Sequence, residues 1–451
     1  MRLATLSALA LAASCAAQDM SINMMGTLMS LKTAHHDVKK SAGVFREGAY
    51  ESMGATKCQN GKAGEYSCKN IDLLGSLTHE AMGSTTREGN DVWGWTSDDG
   101  REFAMVGQTD GTAFVEVLKG GSLKYLGRLP TQTTPAIWRD IKVIGSHAYI
   151  SSESPNHGIQ IFNLTKLLTI GNKPKVFDIK SDLTARFDLV GSAHNVIANK
   201  ETSTIYIVGA ETNAACKGSN GGLVMIDVKD PAKPKLLGCA GQDGYIHDAT
   251  CMTYRGMDKQ FYGHEICLTF NEDTFNVYDV TDKKNPVIVS KSTYDGFEGK
   301  GAYTHQGWVV DKDYNYLLLD DELDEEYRGR KGGDTRTTTY IFDISSLAKP
   351  KWTGKYKSPV SAIDHNLYVV NGLAYMANYG SGLRVVDVSR LAEDPTGGNM
   401  KEVANFDCWP EDDDDPQAEF SGAWSSYMWF KSGTVILNCI ERGVFALKVN
   451  V

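Results

Sequence analysis

Short apolar runs that alternate with polar residues, broken every few positions by glycine or asparagine turns, dominate the chain from about residue 70 to its end. The stretch from Asp364 to Ser389, DHNLYVVNGLAYMANYGSGLRVVDVS, shows the unit most clearly. Leu367 to Val370 reads as a strand, and Asn371-Gly372 as a hairpin turn with positive φ. Leu373 to Asn378 reads as the returning strand. Gly380 and Gly382 break the chain, and the β-branched run Leu383 to Val388 makes a third strand.

The unit recurs. Aligned on their first strands, seven modules begin with NDVWGW at Asn90, WRDIKV at Trp138, AHNVIA at Ala193, IHDATC at Ile246, THQGWV at Thr304, DHNLYV at Asp364 and AWSSYM at Ala423. The second position of each string is Asp91, Arg139, His194, His247, His305, His365 and Trp424, spaced by 48, 55, 53, 58, 60 and 59 residues. That period is too long for leucine-rich or ankyrin repeats and suits a four-stranded blade with loops. Third strands often end in Asp-Val or Asp-Ile and lead into proline turns such as DVKDPAKP, which place proline next to an outer edge strand. Helical periodicity is nearly absent. The sequence therefore predicts an all-β, seven-bladed propeller over residues 71–451, an arrangement that hides many strand edges at once. The last module stops at its third strand, and Ile71 to Leu77 (IDLLGSL) is expected to supply the fourth and close the ring.

Composition narrows the class further. Hydrophobic residues at 41% and charged residues at 23% fit a globular chain of 451 residues. Residues 1–17, MRLATLSALALAASCAA, combine one arginine, a short apolar run and small residues, which predicts a secretory signal peptide. A lipid anchor on Cys15 is the minor alternative. Residues 18–70 form a separate N-terminal segment ending in the small Cys58 to Cys68 loop. No other run is apolar enough to span a bilayer. Eight cysteines remain beyond Cys15, and their order suggests the local pairs Cys58–Cys68, Cys216–Cys239, Cys251–Cys267 and Cys408–Cys439, as an exported protein would carry. The net charge of −10, without a basic stripe, argues against nucleic acid. Asn163-Leu164-Thr165 is a glycosylation sequon. No Walker A, Rossmann or Gly-x-Ser-x-Gly motif occurs.

The candidate chemistry lies at one end of the blades. The first strand of a propeller blade lines the central channel, so the aligned positions face a channel mouth, where four consecutive modules carry His194, His247, His305 and His365. The second strands end at the same face with Glu153, Glu211, Glu272, Glu322 and Glu441. Imidazoles beside carboxylates are the material of a transition-metal centre, with His247, His305 and His365 the strongest subset. The alternative is that the repeated histidines only hydrogen-bond neighbouring blades. Arg139 and Asp140 offer an anion site, or Arg139 pairs with Glu153 across its hairpin. Trp138, Trp308 and Trp424 either stack a sugar or fill space between blades. The acidic run Asp320 to Glu326 offers oxygen ligands suited to calcium, without EF-hand spacing. Asp412 to Asp415 reads as a solvated loop.

The strings GLVMIDV, FNVYDV and GLRVVDV resemble the LVIVD repeat, and WRDIKV…HAYISSESPNHGIQIFNL, DGYIHDATC, HQGWVVD…LLLDDELDE and IDHNLYV…GLRVVDVS are similar to the exported choice-of-anchor B family. The resemblance runs from about Cys58 to Val449 and implies a secreted or surface-anchored propeller, with no catalytic residues to carry over. Three functional expectations follow. The first is a secreted, monomeric binding module that engages an extracellular glycan or protein through Arg139, Asp140, Glu153, His194 and Trp424. The second is a metal-dependent hydrolase or lyase in which Glu272 or Glu322 serves as base beside a water-activating ion. The third is a structural component of a wall or matrix.

Overall fold

Seven sheets of four or more strands each follow from the repeated hairpins, antiparallel throughout except for the short strand Lys175–Val176 that pairs parallel at the edge of blade 1, and together they make a seven-bladed propeller. The computed structural model describes residues 24–211, 216, 221–299 and 301–451. The predicted leader and the Cys15 anchor lie outside the described residues. Blades 1 to 7 have their channel-lining first strands at Gly89–Thr96, Ile141–Ile144, Asn195–Asn199, Asp248–Thr253, Thr304–Val309, Leu367–Val370 and Ala423–Tyr427.

In blade 6, Leu367–Val370 and Leu373–Ala377 pair across a two-residue turn in which Asn371 and Gly372 take φ of 53° and 78°. Such a turn matches the twist of the strands, and asparagine and glycine tolerate that conformation best. The third and fourth strands of six blades carry a bulge at an equivalent place, opposite Phe114 and Val115, Met225 and Ile226, Val277 and Tyr278, Ile341 and Phe342, Val385 and Val386, and Ala446 and Leu447. The shared bulge turns each outer strand away from its neighbours and blunts the exposed edge.

The fourth strand of blade 7 comes from the other end of the chain. Ile71–Leu77 pairs antiparallel with Gly443–Val449, so the blade is built from both termini. Tyr66–Lys69 and Lys62–Ala63 add a fifth and sixth strand to blade 6. The four disulfides are Cys58–Cys68, Cys216–Cys239, Cys251–Cys267 and Cys408–Cys439. The second of these joins the connection between the second and third strands of blade 3 to its fourth strand, the third spans the first hairpin of blade 4, and the last ties the exit of blade 6 to blade 7.

Two helices depart from the all-β reading. The first, α1 (Met24–Ser41), lies where only a polar segment was expected. Its inner face carries Leu28, Lys32, His35 and Lys39, spaced at helical period, and Leu28 packs with Trp138, Tyr303, Tyr379, Phe420 and Trp424 at the histidine end of the channel. The second, α2 (Asp324–Arg330), forms from the acidic run. Asp324, Glu325 and Glu326 sit at its N-terminus, where the helix dipole favours negative charge, and Arg328 pairs with both Asp324 and Glu325. No described helix is long and apolar enough to cross a membrane.

Candidate functional site

Hydrogen bonds between neighbouring first strands fix which residues share a level in the channel. Asp91 accepts from the amide of Ile141 at 3.0 Å, Asp140 from that of Val196 at 3.0 Å, and Gln306 from that of Leu367 at 3.2 Å. These side chains therefore occupy one row, one step inward from the histidines. Asp91 consequently does not belong with Arg139 and His194, as the sequence alignment had it; Asn90 does. The alignment slips because blade 1 has no histidine to mark the row; the bulge between Gly89 and Val92 recurs at the same place in blades 5 and 7, where His305 and Trp424 are the extra residues, and Asn90 is their counterpart.

At the mouth, His194, His247, His305 and His365 form an arc with successive ring centroids 4.2, 4.3 and 4.5 Å apart. Each ring is anchored through Nδ1. His247 donates to the carbonyl of His305 at 3.0 Å and His365 to that of Trp424 at 2.6 Å. His305 lies 2.7 Å from Asp320 Oδ1, an oxygen that already accepts from the Gln306 amide at 2.9 Å and so accepts from the imidazole too. His194 pairs with Glu153 at 2.5 Å. Burial holds His247, His305 and His365 well below the usual imidazole range, and neighbouring histidines and Lys32 add to the effect. Neutral rings protonated on Nδ1 leave Nε2 as a lone pair. His247 Nε2 is buried without a hydrogen-bond partner.

Glu322, fully buried, enters from the second strand of blade 5. Its Oε1 accepts from the Tyr379 hydroxyl at 2.6 Å and forms an ion pair with Lys32 of α1. Its Oε2 lies 3.7 Å from His305 Nε2 and has no hydrogen-bond partner. Lys32 also sits 5.1 Å from the centre of the Trp424 ring. A second buried pair, Lys39 with Glu441, docks the far end of α1, and Lys39 donates to the Phe420 carbonyl at 2.9 Å. The helix thus roofs the histidine mouth, and the cavity beneath it, bordered by Lys32, Arg139 and the four histidines, holds only about 10 Å³.

The remaining sequence candidates divide. Arg139, Asp140, His194 and Trp424 are all buried under this roof. Arg139 does not pair with Glu153: it donates to the Gln108 carbonyl at 3.1 Å and to Thr131 at 2.8 Å, because the carboxylate is already taken by His194. Asp140 instead holds Lys142 at 2.6 Å. Trp138 packs with Trp424 under α1, whereas Trp308 lies at the opposite end of the channel. Glu272 follows the second strand of blade 4 at φ 57°, and its carbonyl receives the Thr304 amide. The acidic run is no solvated loop, since Asp320, Asp321, Glu322, Asp324 and Glu325 are fully buried. Asn163 caps a 3₁₀ turn, its side-chain oxygen accepting from Thr165.

The opposite end of the channel is open, and there the sequence reading missed a site. A cavity of about 530 Å³ is walled by Trp93, Trp308, Tyr368, Tyr427 and Trp429. Their rings meet edge to face, with centroids 5.7 Å apart for Trp93–Tyr368, 5.0 Å for Trp308–Tyr368 and 5.2 Å for Tyr368–Trp429. Lys142, Asp248 and Gln306 form its polar floor. Burial pushes the Asp248 carboxyl up to about 7, the Asp140 charge adding to the shift and Lys142 opposing it. The signal was present in the aligned strings. Trp308, Tyr368 and Tyr427 each stand three residues after His305, His365 and Trp424, and Trp93 stands three after Asn90.

Comparison with known families adds one match. The LVIVD repeat matches residues 215–240 and 365–401. The first covers the third and fourth strands of blade 3, and the second covers blade 6 as far as the start of its last strand. The chain is therefore a propeller carrying LVIVD repeats. No curated protein matches it.

Proposed function

We propose that the protein is an exported binding module that takes a carbohydrate ring in the aromatic cavity at the open end of its channel. One observation carries this reading: of the two channel ends, the histidine mouth lies under α1 with about 10 Å³ of space, and the other offers about 530 Å³ among six aromatic rings, Trp95 joining the five named above. That volume suits a small ligand. Aromatic faces pack the C–H faces of sugars, and the Lys142, Asp248 and Gln306 floor supplies the few placed polar groups that orient a hydroxylated ring. The leader-like first residues and the four disulfides support export, the resemblance to the choice-of-anchor B family supports a place at the cell surface, and the Asn163 sequon is a glycan acceptor if the host glycosylates.

The test is a glycan array followed by calorimetry on the best binder. Trp308→Ala and Trp429→Ala are expected to weaken binding about tenfold each, roughly 1.4 kcal/mol, while Trp138→Phe at the roofed end leaves it unchanged. An array without binders, or affinity indifferent to both tryptophans, overturns the reading and leaves a protein partner at the same face as the next occupant to test.

A further inference from the structure

The roofed end of the channel carries chemistry that ligand binding at the open end does not use. Among the described residues, His247, His305 and Glu322 each present one donor atom, and the three atoms lie within 4.8 Å of one another. We propose that these three side chains are the ligands of a divalent transition-metal ion held beneath α1.

Four observations converge. First, the donors are in the right protonation state by geometry: the Nδ1 atoms of His247 and His305 donate outward, to a backbone carbonyl and to Asp320, which leaves both Nε2 atoms as lone pairs, that of His305 3.7 Å from Glu322 Oε2. An imidazole whose far nitrogen is held by a carbonyl or carboxylate is the outer-shell arrangement that orients a metal-binding histidine. Second, His247 Nε2 and Glu322 Oε2 are buried with no hydrogen-bond partner, a costly state that an ion would relieve. Third, Asp320 Oδ2 and Asp364 Oδ1 are also buried without hydrogen-bond partners, so the neighbourhood has more acid oxygens than donors. Fourth, the cavity that His247 and His305 border holds about 10 Å³, close to the size of a single water site, so nothing much larger than an ion or a water enters beside them.

The geometry needs only small adjustment. A tetrahedral ion with bonds near 2.05 Å separates its ligand atoms by about 3.3 Å, and Glu322 Oε2 already stands 3.7 Å from His305 Nε2. Two imidazoles and one carboxylate suit zinc or a neighbouring first-row ion better than calcium or magnesium, which take oxygen ligands. Lys32 does not compete for the free oxygen, since it engages Oε1 together with Tyr379. Its ammonium does oppose a second cation nearby, so it sets how tightly the site binds. His365, the third histidine of the sequence-based set, has its Nε2 3.5 Å from that same Oε1, and as a neutral ring protonated on Nδ1 it offers that carboxylate no hydrogen bond.

The full chain, produced without a polyhistidine tag, is equilibrated with Co²⁺ and freed of excess ion. The expected result is one ion per chain with the visible d–d bands of a four-coordinate site, displaced by Zn²⁺. His305→Ala and Glu322→Gln should abolish the bands, and His264→Ala, at the half-exposed His264–Asp279 pair, should keep them. Lys32→Met should tighten binding by about tenfold or more by removing the opposing charge. If a ligand variant fails to fold, the wild-type spectrum and stoichiometry still decide. Binding of fewer than about one ion per ten chains, or bands that persist in folded His305→Ala, overturns the proposal. A failed glycan array bears only on the opposite end of the channel and leaves this result untouched.

Discussion

Replacing Lys32 by methionine tests whether α1 is an integral roof. The side chains of Lys32 and Glu322 are 4% and 0% exposed, so the pair is a buried ion pair and not a surface contact. Methionine keeps most of the volume against Trp424 and Phe420 but removes the charge, stranding Glu322 among the buried acids Asp320, Asp321 and Asp364. Removing one partner of a buried pair costs about 3–5 kcal/mol, because the remaining charge loses its compensation. Neutralising both partners should cost far less, so Lys32→Met with Glu322→Gln is expected to recover most of the loss, giving a coupling of roughly 3 kcal/mol. The stranded charge has two outlets, destabilising the whole propeller or letting α1 lift. Urea unfolding followed by tryptophan fluorescence reads the first, and trypsin cleavage at Lys39, Lys40 or Arg46 under native conditions reads the second. Measurements are made with chelator, so that a bound ion cannot stand in for the ammonium. If Lys32→Met leaves both the urea midpoint and the cleavage rate at wild-type values, the ion pair does not hold the helix and the roof argument fails.

Three further outcomes follow from the same structure. Deleting residues 71–77 exposes the edge of Gly443–Val449 and opens the ring at blade 7, so the cooperative thermal transition should be lost; an unchanged calorimetric peak would show that the blade does not need its N-terminal strand. His79 is buried, its Nε2 2.8 Å from the Cys439 carbonyl, and burial holds its pKa down at about 4 against an ordinary 6.5. A lowered imidazole pKa leaves stability intact above 6.5 and removes it as pH falls toward 4, about 3 kcal/mol over that window, so chemical denaturation of wild type should show a steeper acid loss than His79→Gln, and parallel curves would contradict the assignment. Replacing Cys408 and Cys439 by serine opens a link across 31 residues and should cost about 3–4 kcal/mol in urea unfolding on the chain-entropy account, with a loss below 1 kcal/mol counting against it.

The blades were legible in the sequence because each exposes a period of two and a turn at fixed offset, as Leu367–Val370, Asn371-Gly372 and Leu373–Ala377 do. The histidine row was legible for the same reason, except in blade 1, where Asn90 stands in place of a histidine and nothing in the string NDVWGW marks which residue belongs to the row. α1 was not legible, and the reason is physical. Its buried face is Leu28, Lys32, His35 and Lys39, a stripe whose partners are carboxylates and rings, so no apolar stripe at helical period exists to be found. The acidity of Asp320 to Glu326 was legible and read as oxygen ligands suited to calcium, whereas the burial of Asp320 to Glu325 was not, because the buried cations that meet the run, Lys32 and Arg328, have first to be placed in space.

The two ends of the channel differ because the inner strands change character along their length. At the start of the strands stand Asn90, Trp424 and, in four blades, His194, His247, His305 and His365, whose rings need partners and find them in backbone carbonyls and carboxylates. Three residues on, Trp93, Trp308, Tyr368 and Tyr427 present rings that satisfy one another edge to face and need no roof. Between them the row of Asp91, Asp140, Asp248 and Gln306, bridged by Lys142, closes the channel to through passage of any large molecule, since its side chains bond across neighbouring blades. A ligand at the aromatic end and an ion at the histidine end would therefore share that polar row as common ground.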